Sequence, residues 1–178
     1  CMPMIENRLE ELHLPQMVSQ NTDTHRTAWT VSVDYRHGTT TGISAADRAA
    51  TIHALINPEA RAEDFTRPGH IFPLRYRDGG VLKRSGHTEA AVDLARMAGL
   101  YPAGVIAEIV NDDGTMARLP DLKRFAVEHD LPLISVDDIV RYRRRKDKLV
   151  ECVSHAKIPT EHGEFTAYVY QSRLDNIE

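Results

Sequence analysis

Two hydrophobic periods alternate along the chain and predict helices and strands in turn. Ile5, Leu9 and Leu12 recur at helical spacing among Glu6, Arg8, Glu10 and Glu11, which predicts a short amphipathic helix stopped by Pro15. Residues 19–26 are polar and predict a loop. Trp29, Val31 and Val33 then alternate with Thr30, Ser32 and Asp34, the period of a half-buried strand. Ser44, with Asp47 three residues on, makes a capping-box-like start to a helix whose apolar stripe is Ala45, Ala49, Ile52 and Ile56. Thr88 and Glu89 open another helix carrying Val92, Leu94, Ala95 and Ala98, with Gly99 as its left-handed cap. The β-branched run 104–110 predicts a buried strand, and Asn111, Asp112, Asp113 and Gly114 predict a hairpin turn. Pro120 sits early in a helix that carries Leu122, Phe125 and Ala126. Residues 131–136 predict a short strand, and a helix follows from Asp137 to about Lys148.

Alternating helices and strands without an internal repeat predict a layered α/β domain of the α+β class, its mixed sheet flanked by helices. The pattern changes after Lys148. Residues 151–161 read as irregular and polar, and 165–170 start a new strand. A domain boundary is expected near 149–155, dividing 1–148 from 149–178.

Composition removes several function classes. A net charge of −4 gives no bulk attraction to nucleic acid or to an anionic membrane. The basic run 141–148 reads as the solvated face of a helix, and no nucleic-acid-binding motif accompanies it. No apolar run approaches the roughly 18 residues of a membrane span. Cys1 and Cys152 are too few and too scattered for a disulfide framework or a cysteine zinc site, so free thiols in the cytoplasm are expected. The chain opens on Cys1 rather than Met, the mark expected of a processed or fragmentary chain.

The densest chemistry lies in 79–89, where a glycine pair, Arg84, Ser85, Gly86, His87, Thr88 and Glu89 run directly into a helix. Flexible backbone before a helix N-terminus presents free N–H groups and the positive dipole end to an anion. Arg84 adds a bidentate donor suited to phosphate, and His87 can ligate a metal or carry a proton. The same residues also read as an ordinary loop in which Thr88 caps the helix and His87 faces solvent. Arg67, Pro68, Gly69 and His70 predict a turn meeting a strand, with His70 either structural or functional. Thr39, Thr40, Thr41 and Gly42 offer hydroxyls at another helix start, which turn-plus-cap chemistry alone also explains. Glu108 sits inside an apolar run, where a carboxylate is costly unless paired, protonated, ligated or facing water.

Together the segments TTTGISAADRAATI (39–52), RPGHIFPLRYRDGGVLKRSGHTEAAVDLARMAG (67–99) and PAGVIAEIVNDDGTMARLPDL (102–122) resemble 3,4-dihydroxy-2-butanone-4-phosphate synthase. The resemblance runs from about Cys1 to Lys148. The tail KIPTEHGEFTAYVY (157–170) is similar to the opening of GTP cyclohydrolase II, which follows the synthase in bifunctional riboflavin enzymes.

The resemblance implies conversion of ribulose 5-phosphate to 3,4-dihydroxy-2-butanone 4-phosphate and formate, in a homodimer, with a magnesium or manganese ion. It implies that His87 is a metal ligand, and that Arg84, Ser85, Gly86 and Thr88 hold the substrate, Arg84 and Thr88 at its phosphate. Glu108 would contact sugar hydroxyls and relay protons, and Thr41 and His70 are pocket candidates. The family's acidic loop, D-x-x-R-E-N-E-G-D, does not occur in this sequence. The expectation is therefore a C-terminal part of the synthase that is impaired when alone, with apolar surface exposed. A sugar-phosphate binder without turnover is the alternative.

Overall fold

The computed structural model describes residues 1–174. Strand β1 (Met2–Met4) leads into helix α1 (Glu6–Glu11), and β2 (Val33–Tyr35) precedes α2 (Ala45–Ile56). β3 (Phe65–Ile71) and β4 (Pro73–Arg75) follow, then α3 (His87–Met97), α4 (Leu119–Glu128) and α5 (Val136–Lys146). β5 (Val150–Thr160) and β6 (Gly163–Ser172) close the described chain. β1 runs parallel to β4, whereas β2–β3 and β5–β6 are antiparallel. The fold is α+β with mixed strand pairing, as the alternation of periods predicts.

Met4, Leu9, Leu12, Val33, Leu55 and Phe65 form the centre of the main core. Removing a fully buried aromatic such as Phe65 costs about 3–5 kcal/mol. Arg8 is buried beside this core without harm, because its guanidinium donates to the carbonyls of Leu55 and Ala60 at 2.9 and 3.2 Å. Those carbonyls belong to the end of α2 and the loop after it, so the charge ties α1 to α2. A smaller core of Val81, Ala90, Ile139 and Val140 joins α3 to α5.

Six expectations are corrected. The buried face of α2 is Asp47, Thr51, Ala54 and Leu55, while Ala45 and Ala49 face solvent. Polar groups turn inward there because they satisfy backbone: Asp47 accepts from the Thr40 and Gly42 amides, and Thr51 Oγ1 accepts from the Tyr35 amide at 3.0 Å. In α3, Leu94 is exposed and the acids Glu89 and Asp93 are buried instead.

The run 104–110 is extended but forms no ladder strand, and Val105 and Val110 are exposed. It is tethered at its two ends: Gly104 and Ile106 amides donate to Pro3 and Cys1 carbonyls at 3.0 and 2.9 Å, and the Ile109 carbonyl accepts from the Ala117 amide at 2.9 Å. Residues 131–135 likewise form no strand, and Leu131, Leu133 and Ile134 are exposed. Residues 151–161 lie almost wholly in β5, because pairing with β6 satisfies a backbone that looked irregular by composition. Arg67, Pro68, Gly69 and His70 make no turn and belong to β3, where they bulge past the Val33–Asp34 step of β2. The turn at 111–114 forms as expected, with the Asn111 amide donating to Thr115 at 2.8 Å.

One buried charge joins four parts of the molecule. Asp93, 2% exposed, accepts from Tyr76 Oη at 3.0 Å, the Val81 amide at 2.9 Å and Arg143 Nη1 at 2.7 Å. Arg143 also donates to the Gly79 carbonyl at 2.9 Å and pairs with Asp147. Burial, reinforced by the Asp93 charge, pushes the Tyr76 hydroxyl up from 10.0 to about 12. Deleting one partner of a buried pair strands the other charge. Arg143→Met is therefore expected to cost about 3 kcal/mol in urea unfolding, and Asp93→Asn in the same chain to restore part of it. A loss below about 0.5 kcal/mol, in the range of exposed pairs, would contradict this role.

Candidate substrate site at the N-terminus of α3

The approach to α3 is shaped by glycine. Gly79 and Gly80 adopt φ of 91° and 62°, left-handed values that favour glycine, and a single 3-10 turn (Gly80–Leu82) follows. Ser85 Oγ donates to the Val81 carbonyl at 3.2 Å, so its hydroxyl stabilises the loop. Gly86 is the N-cap and contributes no side-chain bond. A Cβ there would overlap Arg84 Nη1 and come within 2.9 Å of Glu89 Oε2. Thr88 lies buried in the first turn of α3, so the reading in which it caps the helix is corrected.

Arg84 is held from several sides. Nη1 pairs with Glu89 Oε2 at 2.6 Å, and Nη2 reaches the His25 carbonyl and Thr27 Oγ1 at 3.2 and 3.4 Å. Glu89 is 2% exposed, and its other oxygen accepts from the Arg77 amide at 3.3 Å. Sequence reading missed Glu89 as the group that orients Arg84. Its signal was a carboxylate five residues after the arginine in the helix's first turn.

The predicted residues fall into two clefts and a separate cluster. Arg84 and Thr88 line a cleft of about 900 Å³ together with Arg26, Arg77 and Lys83. His87 and Glu108, both exposed, line a second groove of about 830 Å³ whose walls are mainly apolar, among them Leu94, Val105 and Ile139. Gly86, the N-cap, stands between Arg84 and His87 in sequence and lines neither cleft. The first cleft is suited to an anion and the second to a less polar body with two polar handles.

His70 belongs to neither cleft lining. Its Nδ1 lies 2.7 Å from Asp34 Oδ2, and its amide donates to Asp34 Oδ1 at 2.8 Å. A carboxylate at Nδ1 orients the ring and leaves Nε2 to take a proton. Thr41 adjoins this pair, since its neighbour Gly42 packs so closely that a Cβ would overlap the Asp34 carboxylate. Asp34 was placed by sequence only on the polar face of a strand, because the pairing that brings it to His70 has no local signal. Asp47 shapes the same loop by accepting from Thr40 Oγ1 at 2.7 Å and the Gly42 amide at 3.0 Å. The bond from Thr40 leads the causes that hold the Asp47 carboxyl below its ordinary 3.8.

Among the described residues, no group of three or more His, Cys, Asp or Glu side chains is placed to hold a metal ion. His87 and Glu108 share a groove, but magnesium takes a near-octahedral shell rich in oxygen. These residues by themselves do not fit a magnesium site.

The chain belongs to the 3,4-dihydroxy-2-butanone 4-phosphate synthase family, whose model matches residues 1–142. It is 61% identical over 180 aligned positions to the bifunctional riboflavin biosynthesis protein RIBA 1, chloroplastic, of Arabidopsis thaliana, covering all of this chain and 33% of that one. It is 56% identical to the riboflavin biosynthesis protein RibBA of Salinispora arenicola, again over all of this chain and 42% of the relative. The chain thus spans less than half the length of these relatives. Among solved structures, the two-domain synthase RibBX of A. baumannii matches with a TM-score of 0.85 at 44% identity, over 99% of this chain and 52% of that one. A 3,4-dihydroxy-2-butanone 4-phosphate synthase in complex with two magnesium ions matches with a TM-score of 0.75 at 40% identity, over 83% of this chain and 74% of that one.

Two outcomes are expected. Gly86→Ala should lose most phosphate-ligand affinity by calorimetry, because the new methyl displaces the Arg84–Glu89 pair; unchanged affinity would contradict that packing. A depressed carboxyl pKa adds stability that is complete above the ordinary value and is lost as pH falls through the folded value. Asp47→Asn is therefore expected to flatten the fall in melting temperature below about pH 4. An equally steep acid limb would contradict the assignment.

Proposed function

We propose that the chain is the substrate-binding portion of a 3,4-dihydroxy-2-butanone 4-phosphate synthase that takes ribulose 5-phosphate toward 3,4-dihydroxy-2-butanone 4-phosphate and formate. The observation that carries this reading is Arg84, anchored by Glu89 beside the N-terminus of α3, within the residues that match the family. The phosphate sits on the Arg84 and Thr88 side of that terminus, and the carbon chain lies toward His87 and Glu108. His70, oriented by Asp34, stays a pocket candidate in a cluster apart from both clefts, and His87 and Glu108 are the catalytic candidates of this reading. A divalent ion, magnesium or manganese, belongs to this reading with His87 as one ligand, and the related structure holding two magnesium ions supports it. Its shell needs oxygen donors beyond the described residues, so the chain alone is expected to bind better than it turns over. The sugar-phosphate binder without turnover is kept as the second reading on that same observation.

The hairpin of β5 and β6 begins four residues after α5 ends, which supports a second unit from about residue 149, opening a GTP cyclohydrolase II-like domain. Residues 175–178 of that unit lie outside the described residues. A homodimer in the cytoplasm completes the proposal, and the exposed free thiols Cys1 and Cys152 are consistent with a reducing compartment.

Calorimetry with ribulose 5-phosphate, run beside a formate-release assay in magnesium, tests both readings. Binding is expected, weakened about tenfold or more by Arg84→Ala, the loss of a charge-assisted bond. Formate is expected near background. Binding that ignores Arg84→Ala would contradict the site. Formate release that disappears in His87→Ala would show that the groups present complete the metal shell and would remove the second reading.

A further inference from the structure

The chain carries a net charge of −4, yet the cleft beside Arg84 concentrates cations. Arg26, Arg75, Arg77, Lys83, Arg84 and Arg173 line it, against the carboxylates of Glu6, Asp78 and Glu89. Three of these cations are already matched inside the protein, Arg75 by Glu6 and Arg84 by Glu89, both at 2.6 Å, and Arg173 by Glu151 at 2.9 Å. Arg84 spends further donors on His25 and Thr27. A phosphate dianion seated on Arg84 therefore meets a guanidinium whose charge is largely offset, and it needs a second cation.

Arg173 supplies one from outside the family-matched residues. It lies directly after β6 and lines the same cleft, with its side chain 49% exposed. Nε and Nη2 both donate to one oxygen of Glu151, at 3.1 and 2.9 Å, which fixes the plane of the guanidinium. Nη1 makes no hydrogen bond among the described residues, so that end of the fork is open to a ligand oxygen.

The Arg173 amide donates to the Leu149 carbonyl at 2.9 Å, one step beyond the Val150–Ser172 pair, so Arg173 continues the hairpin's own ladder at the end nearest α5.

We infer that Arg173 is a further substrate-phosphate ligand, contributed to the synthase cleft by the hairpin that follows the family-matched region. This rests on the reading of the cleft as the sugar-phosphate site. It makes phosphate affinity depend on the hairpin and hence on the unit the hairpin opens. Glu151 then acts as the positioning residue that orients Arg173 and tempers its charge.

The experiment is calorimetry of the full chain with ribulose 5-phosphate at several salt concentrations. The variants are Arg173→Met, Arg173→Lys, Glu151→Gln and Arg84→Ala, with melting temperatures recorded for each. Arg173→Met is expected to weaken binding about three- to fivefold, as for one partly exposed ion pair, and to flatten its salt dependence. Arg173→Lys is expected to recover the salt slope and part of the affinity, with melting temperatures unchanged, a pattern that a purely structural role would not give. Glu151→Gln keeps an acceptor for Arg173 and removes the charge that offsets it, and is expected to tighten binding; weakened binding would contradict the tempering role. If Arg84→Ala weakens binding while Arg173→Met changes neither affinity nor slope, the inference is overturned and the reading of the cleft stands. If neither variant changes binding, the reading of the cleft fails and the inference goes with it.

Discussion

Asp93 is almost wholly removed from water and takes hydrogen bonds from Tyr76, Val81 and Arg143. An ionised carboxylate in such a place is tolerated only when its lone pairs are filled. The three donors come from the end of β4, the 3-10 turn, and α5, while Asp93 itself belongs to α3. The loop carrying Arg84 and Gly86 hangs between two of these attachment points. Its left-handed glycines need this arrangement too, since a Cβ on Gly80 would overlap both Asp93 and Arg143. The geometry of the candidate site therefore descends from one buried charge.

The same economy of polar groups recurs elsewhere. Glu89 fixes Arg84, Asp34 fixes His70, and Asp47 fixes the loop through Thr40 and Gly42. In each case a carboxylate with little exposure orients a residue that faces a ligand or a loop. On the proposed function this investment has a reason, because a site for a small, flexible sugar phosphate has to hold its donors still before chemistry begins.

Much of this was legible in the sequence, and the rest has identifiable reasons for being hidden. Local signals worked: the Ser44–Asp47 start of α2, the turn at 111–114 and the helix opening at 87–89 need only neighbours along the chain. Apolar runs misled at 104–110 and 131–135, because a β-branched run becomes a buried strand only if partners cover it, and the first has isolated bonds to Cys1 and Pro3 at one end and to the 116–117 segment at the other, with no continuous ladder. The hairpin at 150–172 was hidden for the opposite reason, since cross-strand pairing supplies what composition lacks. Among site residues, Arg84, Gly86 and Thr88 were found by their place before a helix. The split of His87 and Glu108 from Arg84 was not visible, because residues adjacent in sequence at a helix start point to different sides. Asp34 and Arg173 depend on partners 36 and 22 residues away, which no local pattern reports.

The central claim is that the N-terminus of α3 is where the substrate phosphate lies. Amide chemical shifts of the 15N-labelled chain, followed while ribulose 5-phosphate is added, test it most directly. The account predicts that the largest saturable shifts fall on Gly86, His87, Thr88 and Glu89, with 106–109 moving less and β5 outside Glu151 unmoved. Saturable shifts confined to other elements, with 86–89 unchanged, would contradict it.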